Sequence, residues 1–177
     1  MGEIITHSAK ETKNLSAKFA IQIISGQILL RQLGQRAVAL ALEGDLGAGK
    51  TTFLHGFAKG LGIKEKILSP TFIIMKKFKI PPNNKLKTLP RRGSLKTANF
   101  QFSYFYHIDC YRLKNKKDLE NLGFRKIVLN PENIVAIEWP EKIFRVIPKN
   151  FLKIKFTHLK ANKRGIILTK ELDRVRL

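Results

Sequence analysis

Six apolar residues in succession, AVALAL at 37–42, close on Glu43. A strand exposed on one face alternates apolar and polar positions, so an unbroken run predicts a strand buried on both faces. NIVAIEW (133–139) repeats the pattern and places Glu138 at its end, and FSYFYHID (102–109) is an aromatic version ending in Asp109. FLKIKF (151–156) alternates apolar with basic residues, as a half-exposed strand does, and RGIILTK (164–170) is its predicted hairpin partner. After the break at Ser69-Pro70, TFIIMKKFKI (71–80) predicts a further strand.

Helical spacing takes over elsewhere. Leu15, Phe19, Ile23 and Leu30, with Lys13, Lys18 and Gln22 between them, predict a helix over 10–33 that Gly34 ends. A second helix is predicted from about Lys50 to Leu61, stopped near Gly60 and Gly62. DLENLGF (118–124) predicts a short third helix ended by Gly123, with a helical or irregular segment on to Asn130. Strands alternating with helices indicate an α/β fold: a mixed sheet with flanking helices and a C-terminal β-hairpin. With no internal repeat and no second core, residues 1–177 are expected to form one domain. PPNNKLKTLPRRGSLKTANFQ (81–101) has three prolines, no acidic residue and no periodicity, which predicts a mobile basic surface loop over about 79–101.

Composition narrows this picture only in places. An apolar content of 44% over 177 residues argues against general disorder. No run approaches a membrane-spanning length, and the N-terminus lacks a basic-then-apolar signal pattern, so a cytoplasmic protein without a membrane partner is expected. The single cysteine, Cys110, excludes an internal disulfide and a cysteine-rich zinc site, and its apolar setting reads as packing. Lys+Arg exceed Asp+Glu by 34 to 13, a net charge of +21. That excess favours polyanions, but lysines scattered along the whole chain also suit a merely solvated surface. Charge is permissive here, not diagnostic.

The chemistry is concentrated between the first buried strand and the second helix. Gly44-Asp45-Leu46-Gly47-Ala48-Gly49-Lys50-Thr51 meets the G-x-x-x-x-G-K-[ST] pattern in full, with Thr52 directly after it. Glycines let the backbone curl until successive N–H groups point at phosphate oxygens. Lys50 is placed to reach the β- and γ-phosphates of a nucleoside triphosphate, the Thr51 hydroxyl to ligate Mg²⁺, and the helix beginning there offers its positive end to the same anion. A buried strand before and a helix after supply the context this loop requires, which makes the fold P-loop NTPase-like. Asp109 and Glu138, each at the end of an apolar strand, are the candidate carboxylates for the metal or for orienting a water. Residues at the C-terminal ends of parallel strands face the crevice where such a loop lies. Lys50, Asp109 and Glu138 are thus the candidate catalytic residues, and His107 reads as a packing or hydrogen-bonding residue, not a ligand.

GDLGAGKTTF (44–53), SPTF (69–72), YHIDCYRL (106–113) and IEWPE (137–141), in this order, resemble the bacterial TsaE (YjeE) family of P-loop ATPases. The likeness spans about Ser8 to Arg164, and H-x-D-x-Y-R-L with E-W-P is more specific than the loop. The resemblance implies a role in threonylcarbamoyl modification of adenosine 37 in tRNAs that read codons beginning with A. It implies ATP hydrolysis that supports turnover of the TsaB–TsaD complex, with tRNA met through that complex. By position it implies Thr51 and Glu138 at Mg²⁺ with Asp109 close by. Ser69-Pro70-Thr71 would act as a switch near the γ-phosphate, Tyr111 and Arg112 would line the same face, and Trp139 would pack beside Glu138. Thr12 and Arg164 would contact the nucleotide. The basic segment with Lys79, Lys85, Lys87, Arg91, Arg92 and Lys96 is longer than the family's usual link. A tolerated insertion is the preferred reading, since each doubling of loop length costs only ~0.6 kcal/mol; contact with tRNA phosphates is the alternative. Two rival functions use the same loop: a small-molecule or nucleoside kinase, and a basic RNA-binding protein with structural ATP. Few, scattered arginines and no room for a lid weigh against the kinase. Arg112 is the best candidate for an arginine supplied in cis.

Overall fold

The computed structural model describes residues 2–26, 36–70, 73–82, 102–113, 116–143, 147 and 151–170. The elements follow in the order β1 (Ile4–Thr6), α1 (Ala9–Ile24), β2 (Val38–Glu43), α2 (Lys50–Gly60), β3 (Met75–Lys79), β4 (Tyr104–Asp109), α3 (Lys116–Asn121), α4 (Phe124–Leu129), β5 (Asn133–Glu138), β6 (Leu152–His158) and β7 (Arg164–Lys170), with a 3-10 turn at Pro140–Lys142. They build a seven-stranded sheet of order β1-β7-β6-β2-β5-β4-β3. β2 runs parallel to β5 and to β6, and β4 runs parallel to β5, so the unbroken apolar runs are indeed the central strands. β3 and the β7–β1 pair are antiparallel at the two edges, with β6 and β7 forming the predicted hairpin. β1 is too short to carry a periodicity and was not read from the sequence.

Both faces of the sheet are covered. α1 and α2 pack over Leu40, Leu42, Phe105, Ile134 and Phe156. α3 and α4 bring Leu119, Phe124, Ile127 and Val128 against Ile108, Val135 and Ile137 on the other side. Aromatic edges join helix to sheet: Phe53 meets Phe156 at 5.4 Å and Phe57 meets Phe105 at 5.7 Å between ring centres. On β6, Leu152, Ile154 and Phe156 are buried while Lys155 is exposed, the alternation expected of that segment.

Two boundaries differ from expectation by four residues or more. α1 ends at Ile24, not at residue 33: the Ser25 N–H donates to Ile21 O (2.9 Å), the Gly26 N–H to Ile23 O (3.1 Å), and Gly26 stands at φ +71. A left-handed glycine with these bonds closes a helix before the apolar spacing runs out. Positions 27–33 and the predicted terminator Gly34 lie outside the described residues. The strand after Ser69-Pro70 begins at Met75 because Ile73 and Ile74 both donate to Pro70 O, and Ile74 turns at φ +63. Thr71 and the loop residues from 83 to 101, with Lys85, Lys87, Arg91, Arg92 and Lys96, lie outside the described residues; Lys79 ends β3.

α1 and α2 approach so closely that Gly56 has no room for a side chain: a Cβ there would stand 2.1 Å from Lys13 O and 2.1 Å from Ser16 Oγ. Alanine is the better helix former by about 1 kcal/mol, so a permissive site would gain stability from Gly56→Ala. Overpacking costs more than that, and Gly56→Ala is expected to lose a net of about 2 kcal/mol. A lower urea midpoint at unchanged slope checks this, and a higher midpoint refutes the close approach.

Candidate functional site

The loop between β2 and α2 owes its shape to three glycines in left-handed or extended positive-φ conformations: Gly44 at +139, Gly47 at +78 and Gly49 at +105. Gly44 is required twice over, because a Cβ there would lie 2.5 Å from Phe156 O on β6. Gly49 caps α2 without any side-chain bond to the helix, leaving first-turn N–H groups available to an anion. Around Gly47 a Cβ would meet nothing within 4 Å, so the turn has open space beside it. Leu46 is exposed and Ala48 buried, with the Ala48 N–H closing the turn onto Asp45 O at 3.1 Å.

Lys50 folds back over this loop. Its buried ammonium donates to Gly44 O and to Asp45 O (2.9 Å) and lies 4.1 Å from the centre of the Trp139 ring. Burial pushes its pKa down, and the carboxylates of Glu138 and Asp109 oppose that shift. A cation bonded to backbone carbonyls, stacked on a π-face and facing two carboxylates suits a multiply charged anion that arrives with its own counter-ion.

The two strand-end acids arrive side by side because β4 and β5 are parallel and in register: Asp109 pairs with Glu138, and Glu138 pairs with Leu42 on β2. Glu138 is the nearer to the loop helix. Its Oε1 lies 3.4 Å from Thr51 Oγ1 and 2.7 Å from His107 Nε2. Asp109 is one strand further out, accepting from Ser69 Oγ and from the Tyr111 N–H, both at 2.9 Å. The sequence left open which acid stands beside Thr51; strand order decides for Glu138. Ser69, the first residue of the expected switch segment, is thereby tied to Asp109.

Trp139 follows Glu138 at φ +58, a conformation a bulky residue rarely adopts. That reversal turns its ring toward Lys50 and toward Tyr111, 5.1 Å away between centres. Lys142 donates to Tyr111 O and steadies the same turn. Arg112 is exposed beside it. Thr12 is buried in α1 with its hydroxyl 2.8 Å from Thr6 Oγ1, and Thr6 pairs with Arg164 across β1 and β7. The Arg164 stem lies 3.6 Å from where a Cβ on Gly49 would stand. Arg164 therefore borders the loop, and Thr12 connects to it through β1. Thr52 is half-buried in the first turn of α2.

Sequence reasoning missed the His107–Glu138 and Lys50–Trp139 contacts. Period-2 alternation along β4 already puts His107 on the face of Asp109, but the cross-strand partner depends on register. Cys110 is buried and its thiol pKa is pushed up to about 12, chiefly by burial, in keeping with a packing residue. Among the described residues no group of three or more His, Cys, Asp or Glu is placed to hold a metal by itself. A divalent ion here fits the other pattern, in which one or two protein oxygens complete a shell supplied by phosphates. Among the described residues no helix is long and apolar enough to cross a membrane.

The family profile described as threonylcarbamoyl adenosine biosynthesis protein TsaE matches residues 6–166. The chain is 32% identical over 166 residues to the tRNA threonylcarbamoyladenosine biosynthesis protein TsaE of Rickettsia typhi, covering 93% of this chain and 92% of that protein. It is also 32% identical over 123 residues to the Haemophilus influenzae protein of the same name, covering 70% of this chain and 65% of that relative. The crystal structure of Bacillus subtilis YdiB superposes with a TM-score of 0.59 at 27% identity, over 98% of this chain and 87% of that one.

Proposed function

The chain belongs to the TsaE family of threonylcarbamoyl adenosine biosynthesis proteins, and from that membership we propose that it is a cytoplasmic ATPase supporting repeated turnover of a TsaB–TsaD complex. The modification served is threonylcarbamoylation of adenosine 37 in tRNAs that read codons beginning with A, with the tRNA met through the complex. The observation that carries this reading is the convergence of Lys50, Thr51 and Glu138 at the C-terminal edge of the parallel strands.

In this reading the N–H groups of Gly47 to Lys50 and the start of α2 bind the phosphates of ATP, and Lys50 exchanges its loop carbonyls for phosphate oxygens. Thr51 and Glu138 hold Mg²⁺, with Asp109 close by. When bound, Mg²⁺ offsets charge on the β- and γ-phosphates. Glu138 also orients the attacking water. Asp109 anchors Ser69, the first residue of the switch segment, through its hydrogen bond. Arg164, with Thr12 behind it, borders the nucleotide, and Trp139 and Tyr111 form the wall beside the phosphates.

Hydrolysis by the isolated protein is expected to be slow and to rise when the partner complex completes the site. The test is ATP turnover with and without a purified TsaB–TsaD pair, with tRNA modification read in parallel. Stimulation by the pair, and modification that stops after one round without this protein, are the expected results. Turnover indifferent to the pair, with modification proceeding unaided, refutes the role.

A further inference from the structure

We propose that His107 is a positioning residue for Glu138, fixing the carboxylate in the orientation from which it meets a divalent ion. The inference rests on the ATPase reading and concerns a side chain to which that reading gives no role.

His107 is wholly buried, at 0% exposure, in the middle of β4. An imidazole so placed is costly unless it is bonded. Its Nε2 lies 2.7 Å from Glu138 Oε1. An ionised carboxylate only accepts, so Nε2 carries the hydrogen. Nδ1 finds no partner among the described residues. A leucine or phenylalanine would fill the same space without stranding a polar atom. Among the described residues, the ring's one hydrogen bond is to Glu138.

Register explains how a strand residue reaches across. His107 pairs with Ala136 and Asp109 with Glu138, so His107, Asp109, Ala136 and Glu138 share one face of the sheet. Diagonal neighbours on adjacent strands lie within reach of a ring. The methyl of Ala136 leaves the imidazole free to lean past it to position 138. Thr51 Oγ1 approaches the same Oε1 at 3.4 Å. Two side chains on one oxygen, His107 from the sheet and Thr51 from the loop helix, stop the carboxylate from rotating. Carboxylates that ligate metals are themselves held by hydrogen bonds for this reason.

Glutamine at 107 brings its amide nitrogen close to where Nε2 stands, whereas the asparagine amide ends near Nδ1 and falls short of Glu138. Calorimetric titration of ATP into wild type, H107A, H107N and H107Q, with Mg²⁺ and with EDTA, separates the possibilities. Affinity in EDTA is expected to stay within about twofold throughout, while the gain conferred by Mg²⁺ falls about tenfold or more in H107A and H107N and survives in H107Q. The kcat at saturating Mg²⁺ and ATP should follow the same order, and KM should rise with the lost Mg²⁺ gain. A wild-type Mg²⁺ gain in H107N overturns the assignment, and so do equal losses in H107N and H107Q. If H107A fails to fold, the H107N and H107Q pair decides alone. A wild type whose ATP affinity ignores Mg²⁺ overturns the ATPase reading itself, and this proposal with it.

Discussion

Lys50→Ala is expected to abolish ATP binding, weakening it by about 100-fold or more, as titration calorimetry will read. The ammonium is buried and already bonded to carbonyls of its own loop, so no rearrangement of the backbone is needed for a phosphate to take their place. Bonds between ions and hydrogen-bond partners are worth about 1.5–3 kcal/mol each, and losing roughly 3 kcal/mol costs about two orders of magnitude in affinity. The truncation also strips Glu138 and Asp109 of the cation facing them. Lys50→Arg is not expected to rescue: Gly44 O and Asp45 O converge on a compact ammonium, and a broad planar guanidinium does not reproduce that point charge. An unchanged circular dichroism spectrum separates lost binding from lost fold. Wild-type affinity in Lys50→Ala would place the nucleotide somewhere else.

Glu138→Ala should divide binding from turnover. Its carboxylate is beyond the loop, 3.4 Å from the Thr51 hydroxyl, and makes no bond to Lys50, so the phosphate cradle stays intact. ATP affinity in EDTA is expected to hold, while kcat falls by about 100-fold, the lower end for losing a group that orients or accepts a proton. A loss in kcat that persists at saturating Mg²⁺ and ATP marks an interaction that matters in the transition state. Should Glu138→Ala turn over at the wild-type rate, the catalytic assignment of this residue is wrong, and Asp109→Asn becomes the next variant to measure.

The loop and its neighbours were legible in the sequence for different reasons. G-x-x-x-x-G-K-T names itself because the backbone geometry demands glycine at fixed spacing and the phosphates demand lysine and a hydroxyl. β2 and β5 announced themselves by unbroken apolar runs, since strands covered on both faces have no solvent side to mark. α1 was over-extended: apolar spacing continues past Ile24, but Gly26 ends the helix through backbone conformation. β3 began four residues late because Pro70 O captures two N–H groups in a turn that no hydropathy pattern records. β1 escaped notice because three residues carry no period. It exists only because β7 offers it an edge.

By itself the sequence determined that this chain has an α/β fold with a G-x-x-x-x-G-K-T loop after a buried strand and two acids at strand ends, because those features depend on local spacing and backbone freedom. Tertiary structure alone decided which acid stands beside Thr51, that His107 meets Glu138, and that Trp139 lies over Lys50. Each of those depends on strand order and register between segments far apart in the chain: β5 sits between β2 and β4, so Glu138 rather than Asp109 meets the loop helix. Residue identity says what a carboxylate is able to do, and its neighbour across the sheet sets which task falls to it.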